Sequence, residues 1–289
     1  MGWIFEQIGN AIKEFLKGVV EGNLTDMFND VNEKVATIAG DVGQTPVGWN
    51  GEIFAMIKNI SDTVIVPVAG MIITFVLVYE LVTMITDRNN MHDFDTFSFF
   101  KYFLKAGIAV FIVANTMTIV MGIFDIAQYA INASAGAIGE NTAIDIAAVL
   151  EQMQAGLNAM GIGELLGLVL ETYIIKFAML IFSLLITLVI AGRMIEIYLY
   201  CSLAPIPFAT FTNREWGSMG TNYLRGLVAL AFQGLLIMVC VGIYAVLINT
   251  LTVTENIHAS IWMIAGYTVL LCFALFKTGT LSKSIFNAH

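Results

Sequence analysis

Five runs of about twenty mostly apolar residues decide what this chain can fold into, because a helix crossing the ~30 Å hydrocarbon core of a bilayer needs about that many. They are Thr63–Thr86, Phe103–Phe124, Leu168–Gly192, Gly226–Leu251 and Ala259–Phe276. Only 12% of the residues are charged and 58% are hydrophobic, against about 25% charge in an ordinary soluble domain. The expected fold is all-α: a polytopic membrane protein with five transmembrane helices and further helices outside the bilayer.

A sixth apolar stretch, 196–211, "EIYLYCSLAPIPFATF", is interrupted by Pro205 and Pro207. Loop charge decides whether it crosses, since cytoplasmic loops are rich in Lys and Arg. The connection 125–167 carries Asp125, Glu140, Asp145, Glu151 and Glu164 and no basic residue, so it is placed outside. If 196–211 dips in and returns, or grazes the interface, Arg88, Lys101, Lys105, Arg193, Arg214, Arg225, Lys277 and Lys283 all fall inside. If it crosses, Arg214, Arg225, Lys277 and Lys283 move outside. The re-entrant arrangement is therefore expected, with the N-terminus outside and the C-terminus cytoplasmic. Four segments follow: 1–61 with an N-terminal helix and linker, a first hairpin 62–124, a helical outer loop 125–167, and a core 168–289 holding the broken segment.

The N-terminus lacks the basic start and unbroken apolar core of a secretory signal. Instead Ile4, Ile8, Ile12, Phe15 and Val19 recur at helical spacing, opposite Glu6, Asn10, Lys13, Glu14 and Lys17. That pattern is an amphipathic helix, suited to the membrane surface, a partner helix or its own protein. Residues 40–52, "GDVGQTPVGWNGE", read as a turn-rich linker. In the outer loop, Thr142 and Asp145 form a helix-start signature, and Ile146, Leu150, Met153 and Leu157 mark one apolar face. Leu150 and Met153 are expected to meet a neighbouring copy or the N-terminal helix. Gly163 and Gly167 form a small-xxx-small pair that permits close helix approach.

Ionisable residues within spans are expensive and mark pairs or water-lined paths. Glu80 lies toward the inner end of the first span and Lys105 near the inner end of the second, where it can snorkel. Lys176 is deeper and is expected to pair with Glu171 or Asp125, or to line water. Arg193 and Glu196, three apart, are placed to pair with each other. Gln233 needs a hydrogen-bonding partner on another helix. Proline lacks an N–H and disfavours helical angles in the residue before it. The third helix is thus expected to end near Leu203, with Ala204 and Ile206 extended. Broken backbone at membrane depth must be buried or beside water. The segment reads equally as the wall of a passage and as an elbow that turns the chain.

Cys201, Cys240 and Cys272 lack zinc or redox spacing, and His92, His258 and His289 lie far apart. Nucleotide and nucleophile motifs are absent. No cofactor and no enzymatic activity are expected. The net charge is −9, with no basic run to grip DNA by counterion release, so nucleic acid would pass without tight binding.

Arg193, "LAPIPFATF", the polar "TNREWGSMGTNYLRG" and the apolar run containing Gln233 resemble the TrbL-like polytopic membrane subunits of conjugative type IV secretion systems. The resemblance spans residues 60–277 and is strongest from Arg193 to Gly234. It implies a multi-pass protein of the bacterial cytoplasmic membrane, carried on mobile elements. It also implies a homo-oligomeric ring, often of five copies, embedded in lipid and assembled with other secretion subunits, including an ATPase. Such a subunit acts as a channel or scaffold for DNA–protein complexes; in this reading Pro205 and Pro207 shape the inner mouth, and Arg193 and Glu196 fix the bend. A small-solute secondary transporter and a purely structural membrane hub are the alternatives.

Overall fold

The structure, a computed structural model, describes residues 2–86, 96–139, 145–250 and 257–288. Among the described residues the regular structure is helical: α1 (Gly2–Val42), α2 (Pro46–Trp49), α3 (Gly51–Ile60), a π-helical turn (Ser61–Ile65), α4 (Val66–Thr86), α5 (Thr96–Ala114), α6 (Thr116–Gly139), α7 (Ile146–Ala159), α8 (Ile162–Leu203), α9 (Pro205–Phe208), α10 (Gly217–Asn249) and α11 (Ile257–Ile285). Arg88, His92, Glu140, Thr142 and His289 lie outside the described residues.

Four stretches are long and apolar enough to cross a membrane: Gly51–Thr86, Ile162–Leu203, Gly217–Asn249 and Ile257–Ile285. The fifth expected span is not one straight helix. α5 and α6 meet at Asn115 with a bend of 69°. The sequence supplies the reason: Asn115 Nδ2 donates to the Phe111 carbonyl at 2.9 Å, and Thr116 Oγ1 donates to the Ile112 and Val113 carbonyls at 3.0 and 2.9 Å. Such side-chain donors compete for helix carbonyls and bend the backbone.

The described helices form two compact units, each built from three separated stretches: Met1–Val42, Asn132–Ile190 and Leu236–Thr278 in the first, Gly43–Ile131, Ala191–Leu235 and Gly279–His289 in the second. In the first unit α1 runs on through residues 40–42, which were expected to belong to the linker. Its buried stripe is Leu16, Val20, Leu24, Met27, Val31, Ile38 and Val42, while Ile4, Ile8, Ile12 and Phe15 stay exposed. Steps of four residues on a helix advance by about 40° each, so the stripe that begins at Ile4 has turned about a third of the way round by Leu16. α7 packs on α1 and buries Met153 and Leu157. Its start is set by Asp145, whose carboxylate accepts from the Ala148 N–H at 3.1 Å. α8 begins with the same logic reversed, Gly161 N–H donating to Glu164 Oε2 at 2.8 Å. Its 42 residues are about twice the number needed to cross the hydrocarbon core.

In the second unit the expected linker is compact helix. Thr45 caps α2 by accepting from Gly48 N–H, and Asn50 caps α3 by accepting from Ile53 N–H. The core gathers Val120, Phe124, Met194, Ile197, Phe208 and Leu227.

A cavity where three helix breaks meet

The second unit breaks its backbone three times, and each break has a local cause. Pro67, in the first turn of α4, has no N–H and would crowd the carbonyl four residues back in a regular helix. The turn before it widens instead, and Val66 N–H bonds to the Ser61 carbonyl, five residues back. The second break is the bend at Asn115. The third is the proline pair, and α8 does end at Leu203. Ala204, however, is helical (φ −52°, ψ −37°), and Pro205 opens the short helix α9, which includes Ile206. The expected extended backbone is not adopted. A proline at the first position of a helix gives up a bond that position never makes, so two short helical pieces suffice to turn the chain.

The turn then continues by short-range bonds: Ala209 N–H to Pro205 O at 3.0 Å, Thr210 N–H to Pro207 O at 3.1 Å, Asn213 N–H to Thr210 O at 3.1 Å. Asn213 closes it, its side-chain oxygen accepting from Glu215 and Trp216 N–H at 2.8 and 2.9 Å. Pro205, Phe208 and Ala209 are buried, whereas Pro207 is half-buried. Ala209 packs with Ala69 and Ile73 of α4 and Ala109 and Val113 of α5. Gly220 sits so close that a Cβ there would lie 2.7 Å from the Pro207 carbonyl oxygen.

All three breaks line one cavity of about 820 Å³, through Ser61 and Asp62, Asn115 and Thr116, and Pro205. Lys58 and Asp125 add charge to its wall, and Lys58 pairs with Asp62.

The other expected site residues fall into separate clusters. Arg193 and Glu196 do not pair. Arg193 is 4% exposed and donates from Nε to the Leu230 carbonyl at 3.4 Å and from Nη2 to the Ala231 carbonyl at 3.3 Å. Its Nη1 is buried with no hydrogen-bond partner among the described residues. Glu196, turned aside by three residues, takes Lys283 of α11 at 2.8 Å. Ser282 donates to the Ala229 carbonyl at 2.6 Å, so three successive carbonyls of α10 each receive a side-chain donor. Gln233 lies against Gly279, where a Cβ would come 3.3 Å from its amide nitrogen.

Glu80 pairs with Lys105 at 3.0 Å and accepts from Asn213 Nδ2 at 3.3 Å, so Lys105 is paired and not merely snorkelling. Beside it Tyr79 donates to Glu215 at 2.9 Å, and Trp216 stacks on Phe75 and Tyr79 with ring centres 5.5 Å apart. Sequence reasoning missed this clamp of Tyr79, Asn213 and Trp216; the only signal was the aromatic next to a polar loop.

In the first unit Lys176 pairs with Asp26 at 2.6 Å and Glu171 with His258 at 2.7 Å. Neither is the partner expected from sequence proximity. Leu150 is half-buried and Met153 buried, while Gly163 and Gly167 have open space where a Cβ would stand.

Long apolar helices, proline- and Asn-broken backbone and interhelical ion pairs define a polytopic helical membrane protein. Residues 31–205 match the family model described as TrbL/VirB6 plasmid conjugal transfer like protein. The chain belongs to that family, and so to the components of conjugal transfer. The match begins further toward the N-terminus than the resemblance read from sequence, and it ends at Pro205. No curated protein and no solved structure matches the chain.

Proposed function

We propose that this chain is a channel or scaffold subunit of a conjugative type IV secretion apparatus, a ring-forming copy that helps DNA–protein complexes cross the bacterial cytoplasmic membrane. The N-terminus is outside and the C-terminus cytoplasmic in this reading, which gathers the basic residues of 193–225 and of α11 inside. The chain itself does no chemistry, and the motive energy comes from partner ATPases.

One observation supports the reading above the rest: three helix breaks line one cavity. Freed backbone groups are not tolerated against lipid and sit at membrane depth only when buried or beside water. Pro205 and the turn it opens shape a mouth of this cavity, whose wall Asp62 and Asp125 share, and Arg193 and the Glu196–Lys283 pair hold the helices around it. Replacing Pro205 and Pro207 together with alanine extends α8, straightens the mouth and lowers conjugation frequency while the membrane-inserted amount stays normal. Unchanged transfer at normal protein level overturns the role. The same cavity also favours a small-solute transporter, whose substrate sites are built from broken helices; thermal stabilisation of the purified protein by an ion or metabolite would select that reading.

A further inference from the structure

In the first unit α1 and α8 run side by side in the same direction. Gly9 lies against Ile162, a Cβ there standing 3.9 Å from the isoleucine Cδ1. Further along, Asn23 Nδ2 donates to Thr172 Oγ1 at 3.0 Å, and Lys176 meets Asp26 at 2.6 Å. Beyond that pair a cavity of about 390 Å³ opens, with Asp30, Glu33 and Lys34 of α1 facing Ser183 of α8 and with Tyr244 and Thr268 on its wall. These polar groups, set among Met179, Leu180, Ile186 and Leu271, are enough to hold water.

At this shared level the two helices present exposed faces of opposite chemical character. Ile174, Phe177, Ile181, Leu184 and Leu188 of α8 follow one another at steps of three and four, and all are exposed. No charged residue occurs between Lys176 and Arg193. Asp26, Asp30, Glu33 and Thr37 of α1 follow the same spacing and are equally exposed. The first face suits hydrocarbon. On the second, Asp26 is paired with Lys176, but Asp30 and Glu33 would each cost about 2.5–3.5 kcal/mol at the bilayer centre. Two such faces at one depth require lipid on one side and water on the other.

We infer that the Asp26–Thr37 face of α1 lines an aqueous passage whose lipid-facing wall is α8. The inference deepens the channel reading above and rests on it. An anionic lining repels phosphate, so a DNA–protein complex slides past the wall without adhering to it.

Spin labels placed singly at Glu33, Thr37, Phe177 and Leu184, in a chain whose three cysteines are replaced by alanine, test it in lipid nanodiscs. The readout is collision with a water-soluble nickel chelate against collision with oxygen, which concentrates in lipid. The expected result is an inverted ratio: nickel dominates at 33 and 37, oxygen at 177 and 184. Nickel dominance at all four places this stretch of α8 in water and overturns the inference; oxygen dominance at all four, or any other pattern, overturns it too. If the cysteine-free chain fails to accumulate, a photoreactive benzophenone residue at the same positions of the native chain separates the two faces equally well. Lipid adducts are then expected at 177 and 184 alone, and adducts at 33 or 37 reject the assignment. Conjugation frequency is not read in this experiment, so a failed two-sided wall is distinct from the failed transfer role that the proline variants report.

Discussion

The two units give their polar side chains a different balance of partners. In the first, polar side chains bond mainly to one another across regular helices: Lys176 with Asp26, Glu171 with His258, Asn23 with Thr172, Tyr244 with Thr268. In the second, besides the pairs Glu80–Lys105, Glu196–Lys283 and Tyr79–Glu215, side chains are aimed at backbone carbonyls: Arg193 at Leu230 and Ala231, Ser282 at Ala229, Tyr198 at Pro46, Tyr102 at Leu77, Gln128 at Gly43, Tyr223 at Tyr200. The breaks do not account for the difference: Leu77 lies within α4 and Ala229, Leu230 and Ala231 within α10, so these donors use the second lone pair of carbonyls in unbroken helix. Substitutions in the second unit therefore touch backbone carbonyls, and those in the first mainly a side-chain pairing.

Gly220→Ala carries the largest expected effect. The new Cβ would stand 2.7 Å from the Pro207 carbonyl and 3.2 Å from the Phe211 ring. Backbone cannot swing aside as a side-chain tip does, so overpacking here costs about 3 kcal/mol or more. The amount of folded protein in the membrane and its melting temperature in detergent both fall. Gly163→Ala, in the first unit, meets nothing within 4 Å and gains up to about 1 kcal/mol of helix propensity. Equal behaviour of the two variants would erase the contrast between the units at its strongest point.

Tyr198→Phe comes next. The hydroxyl donates to the Pro46 carbonyl at 2.6 Å and to the Asn50 carbonyl at 3.2 Å, tying α8 to the caps of α2 and α3. Its removal takes the donor from the buried Pro46 carbonyl, while the Asn50 carbonyl keeps its bond from Phe54 N–H at 3.0 Å, at a cost of about 1–3 kcal/mol, seen as a lower melting temperature. Tyr244→Phe, the matching change in the first unit, removes one hydroxyl from a pair with Thr268, which keeps its own bond to the Ile264 carbonyl at 3.1 Å. It should cost less than Tyr198→Phe. The reverse order would mean that carbonyls in the second unit find other donors.

What could be read from the sequence was whatever depends on neighbours along the chain. Apolar runs gave the spans, Pro205 gave the end of α8 at Leu203, and Gln233 announced its need for another helix. The bend at Asn115 was present in "VANTMT" but hidden by the apolar residues around it. The pairing of charges was out of reach: Asp26 and Lys176 are 150 residues apart, and only the parallel course of α1 and α8 brings them together. Proximity in sequence suggested Arg193 with Glu196 and Lys176 with Glu171, and in both cases another helix supplied a better-placed partner. Gly220 looked like any glycine of a polar loop, because its constraint is a carbonyl thirteen residues earlier.

The smallest effect is expected from Lys176→Met. The ammonium and its partner Asp26 remain 36% and 58% exposed, so solvent screens the pair, and such pairs contribute less than about 1 kcal/mol. Methionine retains the stem that packs along α8 while removing the charge, which separates the ion pair from the packing. Stability should hardly move, and at high salt the variant and the parent should converge. A drop comparable to that of Tyr198→Phe would place the pair in a medium far drier than its exposure implies. The carboxylate face of α1 would then be closed to water at the level of Lys176, and the difference between a side-chain-paired unit and a backbone-paired unit would no longer track how much each change costs.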